Sequence, residues 1–237
     1  MNPDATLAEV MRLMHECGFP IKDNVSIKVD PQLSFMGYTA PRADGHIIVI
    51  SGQAVKSDML KGLLAHELSH VYRTSTGHPS HNYELIADCI QNATGESNLE
   101  ENQQNMLQQA VNHLQDLYAD DIVFQVVRQK KIVPMETLGQ FFLGWIQGTA
   151  TDDAWENAAI MVRNSFAISN MQRHKIKDIS GAKVNEKFLS QLPPAAAKEF
   201  TYFNKFMAGL KEDVTPEQYS KQLEEYLERF LAVVKRI

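Results

Sequence analysis

Two periodicities divide this chain, and the change between them limits the folds open to it. Up to about residue 98, helical and strand-like runs alternate; beyond it, apolar residues recur almost everywhere at helical spacing. Leu7, Val10, Met11 and Met14 predict a helix over residues 5–17, stopped by Gly18 and Pro20. Val25–Val29 alternates apolar and polar, Leu33–Thr39 is less regular, and His46–Ile50 is β-branched and apolar. Pro31 and Asp44-Gly45 supply turns between these runs, and a small antiparallel sheet is the simplest arrangement. Helices follow over Ser57–Tyr72 and Tyr83–Ala93, separated by the polar stretch Arg73–Asn82, and the stretch Thr94–Asn98 reads as a break. The remaining helices are expected at Leu99–Lys131, Glu136–Gly148, Asp152–Arg173, Lys183–Gln191, Ala195–Leu210 and Pro216–Arg236, with Thr215-Pro216-Glu217 as a capped start. The expected class is α+β: a small sheet and a helix pair in residues 1–98, then a mostly helical lobe in residues 99–237. The two parts are separate lobes or one continuous domain.

Composition removes several alternatives. At 237 residues and 44% hydrophobic, the chain can bury a substantial core. A formal net charge of -6 gives no footprint for DNA or RNA. Two short basic clusters, Arg128–Lys131 and Arg173–Lys177, read as solvated helix ends or loops. Cys17 and Cys89 form no C-x-x-C pair, so neither a disulfide framework nor a thiolate metal knuckle is implied. The opening residues lack a basic stretch followed by an apolar core, and the most apolar short run, Phe141–Ile146, is too short to span a bilayer. A cytoplasmic protein with no membrane or nucleic-acid partner is the expectation.

The chemistry concentrates in His66-Glu67-Leu68-Ser69-His70. Residues four apart lie on one face of a helix, so both imidazoles can reach one ion. Glu67 sits beside that pair, suited to take a proton from water activated by zinc. The surrounding helix is strongly apolar, where an uncompensated Glu would be costly. One zinc ion is therefore expected on His66 and His70, with Glu67 as general base. A third ligand is required. Glu84, fourteen positions after His70, leads the candidates, and Asp88 one turn later could support a ligating histidine. Asp120 or Asp121 on the long helix, and His78 or His81 in the loop, are the alternatives. For an oxyanion donor, Tyr72, Tyr83, Tyr118, His113 and His174 are candidates.

The text HELSH at 66–70, followed by Glu84-Leu85-Ile86-Ala87-Asp88, resembles the gluzincin metallopeptidases, of which thermolysin is a member. The resemblance covers about residues 46–90. It implies His66, His70 and Glu84 as ligands, Glu67 as general base, Asp88 as support, and a sheet edge that binds substrate. The interval from His70 to Glu84 is shorter than in thermolysin and closer to the compact minimal gluzincins. The expected function is a zinc-dependent hydrolase acting on a peptide or protein substrate. The alternative is a degenerate or regulatory zinc module whose helical lobe binds a protein partner; hydrolysis of a non-peptide amide is a third reading.

Overall fold

The computed structural model describes residues 2–95, 97–176 and 180–237. Glu96 in the expected break and Lys177 of the second basic cluster lie outside them. The fold class is α+β, a small three-stranded sheet with a helical remainder. The chain forms two compact units, each discontinuous in sequence: Met1–His81 with Tyr118–Leu138, and Asn82–Leu117 with Gly139–Ile237. The periodicity change near residue 98 falls inside the second. Among the described residues, no helix is long and apolar enough to cross a membrane.

In the first unit, α1 (Pro3–Glu16) starts where Asn2 Oδ1 accepts from the backbone N–H of Asp4 and Ala5, with Pro3 in the first turn. The strands β1 (Val25–Asp30), β2 (Gly37–Arg42) and β3 (Gly45–Ser51) are ordered β1-β3-β2. The expected antiparallel sheet is corrected here to a mixed one: β2 pairs antiparallel with β3, but β1 pairs parallel with it. Burial explains the order. Ile47, Ile48, Val49 and Ile50 are all buried, so β3 takes the centre, while the half-polar β1 and β2 take the edges. The second strand is also shifted from Leu33–Thr39 to Gly37–Arg42. It runs through Pro41, which an edge strand tolerates because its missing N–H is not required by a second neighbour. Gly45 closes the β2–β3 turn at φ +140°, where a Cβ would stand 2.1 Å from the Asn24 carbonyl oxygen.

The helix α2 (Leu60–Ser75) packs on α1, β2 and β3. Leu60, Leu64, Leu68 and Val71 are fully buried. Each such side chain contributes about 2 kcal/mol of transfer free energy, which fixes the helix firmly in the core. The long helix α4 (Glu101–Lys130) is unbroken, and its second half, from Tyr118, belongs to this unit.

The second unit holds α3 (Tyr83–Thr94), the first half of α4, α6 (Ala154–Arg173), α7 (Ser180–Leu189), α8 (Pro194–Ala197), α9 (Glu199–Gly209) and α10 (Pro216–Val234). Thr215 and Gln218 form the reciprocal capping pair at the start of α10, with Pro216 in the first turn. The helix expected over Ala195–Leu210 divides into α8 and α9 at Lys198. The one expected over Glu136–Gly148 is shorter, α5 (Met135–Leu143). Its continuation is held as a loop by the buried α6 residue Asn164, whose amide bonds both the N–H and the C=O of Gln147 at 2.9 Å.

His113 of α4 lies in this unit, stacked on Phe166 at 4.9 Å between ring centroids and edge-on to Trp145 at 5.8 Å. Burial pushes its pKa down from 6.5 to about 4; the Asp116 carboxylate, 4.0 Å from Nδ1, opposes this, and Arg163 adds to it. The folded chain thus keeps the ring neutral where the unfolded chain protonates it. Between pH 6.5 and 4 the unfolded state binds more protons, so stability falls as pH drops through that window. The loss reaches about 3 kcal/mol at the acid end. His113→Phe should flatten this part of the profile, read by urea unfolding at neutral and mildly acidic pH. Parallel profiles for the two proteins would assign the acid sensitivity elsewhere.

Candidate metal centre

The helical period brings His66 and His70 together on α2, with ring centroids 4.7 Å apart and their Nε2 atoms 3.1 Å apart. Each ring is held from its other nitrogen. Nδ1 of His66 lies 2.9 Å from Asp120 Oδ1, and Nδ1 of His70 lies 2.8 Å from His81 Nε2. A carboxylate only accepts, so His66 donates from Nδ1 to Asp120. This is the outer arrangement that orients metal-binding imidazoles. Asp116 stands one turn before Asp120 on the same unbroken helix. Two imidazoles on one helical face are donors that suit zinc.

Glu67 is buried, 4% exposed, and its Oε2 accepts from the Thr39 hydroxyl at 2.8 Å. Thr39 is in the middle of β2, opposite Ile48, so the sheet edge orients this carboxylate. Arg73, seven residues after His66 and three after His70, shares their face of α2. Its guanidinium is buried and donates through Nε and Nη2 to the Tyr118 carbonyl at 3.2 and 2.8 Å. That clamp fixes α2 against the α4 turn that carries Asp120.

The return of the chain to His70 is encoded in Ser75-Thr76-Gly77-His78. Gly77 adopts φ +68°, its N–H bonds the Thr74 carbonyl, and the His78 N–H bonds the Arg73 carbonyl at 2.9 Å. This is the Schellman closure, which turns the chain sharply off the helix end. A 3₁₀ turn over Pro79–His81 follows and brings the buried His81 ring back to His70.

Of the residues proposed from sequence, the structure brings His66, Glu67, His70, His81 and Asp120 together in the first unit. Asp121 is half-buried beside Asp120. Glu84 and Asp88 lie exposed on α3, and neither belongs to a potential metal-binding group among the described residues. Among the oxyanion candidates, Tyr72 packs edge-on against Phe19, Tyr83 is exposed, Tyr118 lies under the His78 ring, and His174 closes the end of α6. Sequence reasoning missed Thr39, Arg73 and Ser80. For Arg73 a signal was present, its position on the histidine face of a buried helix; nothing local marks Thr39 or Ser80.

The chain belongs to a family of unknown function (DUF5781), whose match spans residues 3–232. Comparison with curated proteins and with solved structures gives no match.

A Cβ at Gly77 would meet nothing within 4 Å, so replacing it tests backbone conformation alone. Gly77→Ala should destabilise the chain by about 1 kcal/mol, and Gly77→Asn by less, because asparagine tolerates the left-handed region better. Urea unfolding measures both. Equal stability of all three proteins would remove the turn from the determinants of the site.

Proposed function

We propose that this chain is a zinc-dependent hydrolase of amide bonds, with peptides or proteins as substrate. The observation that carries the reading is the pair of Nε2 atoms 3.1 Å apart on α2, with the buried Glu67 carboxylate next to His66 in the same helix. His66 and His70 would hold the ion. Zinc in such a site acidifies water to a pKa of about 7 and polarises a carbonyl. Glu67 takes the proton of the attacking water and passes it to the leaving amine. Thr39 keeps the Glu67 carboxylate in one orientation, so that no side-chain ordering is required as the reaction begins. Asp120 fills the supporting role that the gluzincin resemblance gives to Asp88, from a different helix. A cytoplasmic setting fits the two free cysteines, Cys17 and Cys89. The regulatory-module reading is disfavoured by Glu67, since a purely structural zinc has no use for a buried, oriented base.

Protein purified without chelator should carry about one zinc per chain, lost in His66→Ala and in His70→Ala. Glu84→Ala should leave zinc binding unchanged, since Glu84 lies exposed on α3 and belongs to no potential metal-binding group among the described residues; loss of binding in that variant would return the third ligand to α3. Glu67→Gln should retain zinc and lower kcat on a cleaved peptide by roughly 10²–10⁴-fold, with peptide pools and mass spectrometry as the assay. Undiminished cleavage by Glu67→Gln would sink the hydrolase reading, and a zinc-loaded wild type that cleaves nothing would favour the regulatory module.

A further inference from the structure

The second unit carries a groove that none of the chemistry above uses. Between α3 and the first half of α4 lies an open groove of about 390 Å³, lined by Tyr83, Ile86, Ala87, Ile90 and Thr94 of α3 and by Gln108 of α4. Tyr83, Ala87, Ile90 and Thr94 recur at helical spacing, so they form one stripe along the whole of α3. Another side of that helix packs on α10, where the Cys89 thiol donates to the Ser220 carbonyl and Asn92 donates to Glu224 at 2.8 Å. The buried Ile86 floors the groove, but Tyr83 at its end is 57% exposed and Ala87 is exposed.

Charge limits what can cover it. Residues 82–117 hold six of the chain's 29 acidic residues and none of its 23 lysines and arginines, which is the whole of the net charge of -6. The groove lining is uncharged, and acids stand at its margin. Glu84 and Asp88 each follow a stripe residue by one position, about 100° round the helix, and both are exposed. Glu101, also exposed, precedes Gln108 by two turns and shares its face of α4. An uncharged, tyrosine-bearing centre inside a charged rim has the composition of a protein interface. The sign of the rim repels phosphate, which disfavours nucleic acid and anionic membrane. A second copy docked by two-fold symmetry would set the same carboxylates against each other. Among the described residues every strand lies in the first unit, so an extended peptide finds no sheet edge here to pair with. A helix arrives with its backbone hydrogen bonds already made.

We propose that the α3–α4 groove docks a cationic amphipathic helix of a partner protein. Its apolar side chains lie on the Tyr83–Thr94 stripe, and lysines or arginines on its flanks meet Glu84, Asp88 and Glu101. With 12 residues, α3 offers about 18 Å of groove wall, enough for about three turns of the partner. The proposal rests on neither zinc nor hydrolysis.

The test is selection on the full chain from a display library of helices of about 15 residues, with leucines fixed at helical spacing and the flanking positions randomised among Lys, Glu and Gln. Lys-flanked sequences should be enriched, and the selected peptide, made synthetically and read by fluorescence anisotropy, should bind less tightly as salt rises. Ala87→Arg places a bulky cation in the groove from an exposed position, and Glu84→Lys with Asp88→Lys reverses the rim. Both variants should keep the fold by circular dichroism and weaken the peptide by about tenfold or more. Enrichment of Glu-flanked sequences, or of none, overturns the proposal. Full affinity in both variants overturns it too, because the peptide then sits elsewhere. A chain that sediments as a dimer, and as a monomer after Ala87→Arg, would give the groove to a second copy and overturn it likewise. A failed selection leaves the zinc and cleavage experiments unaffected, and an inactive wild type would sink the hydrolase reading and leave this one standing.

Discussion

The Nε2 atoms of His66 and His70 are held 3.1 Å apart, and the site is arranged around that contact. A helix alone supplies the spacing but not the ring orientations, because each histidine can turn about two bonds. The orientation comes from behind. Asp120 fixes His66 from α4, and His81 fixes His70 from the turn after α2. The Arg73 clamp on the Tyr118 carbonyl then ties α2 to the α4 turn that carries Asp120. The sheet adds Thr39 on Glu67. Three elements therefore converge on His66, Glu67 and His70 of one helix.

That convergence also answers an energetic problem. Glu67, Arg73, Ser80, His81 and Asp120 are all buried in the same unit. A buried polar group without a partner costs about 1–3 kcal/mol, and more when charged, so several unsatisfied groups here would consume most of a domain's stability. Each of them has a partner in this structure. The apolar face of α2 anchors the helix, and the polar face is satisfied group by group. The same bonds that make the burial tolerable also hold the side chains in one geometry, so stability and orientation have a common source.

This division governs what the sequence reveals. His66, Glu67 and His70 are legible because their relation is set by helical period alone. The α+β class and the capped start of α10 are legible for the same reason, being local. Glu84 was attractive because it is near in sequence and on the next helix, yet it is exposed, while Asp120, fifty-four residues from His66, makes the contact. Contacts of that separation leave no periodic trace. The sheet carries a similar lesson. The alternation in Val25–Val29 fits an edge strand of either direction, and the short connection to β2 suggests simple sequential pairing. The parallel neighbour follows from the demand of the fully apolar Ile47–Ile50 run for the central position, which is a property of the whole sheet.

Burial by itself does not mark a histidine as functional, and this chain contains the control. His113 and His81 are both buried. His113 lies between aromatic faces, with only a carboxylate at 4.0 Å from one nitrogen, and desolvation simply drives it neutral. It fills space, and a phenylalanine would fill the same space. His81 has a hydrogen-bond partner on each nitrogen, one of them His70 and the other the Ser80 hydroxyl. A ring bonded at both ends transmits polarity, because donation at one nitrogen requires acceptance at the other. What separates the two rings is therefore not how deeply they are buried but whether their neighbours fix the position of a proton. By that criterion the 78–81 turn belongs to the histidine cluster of α2, and the aromatic cluster around His113 belongs to the core.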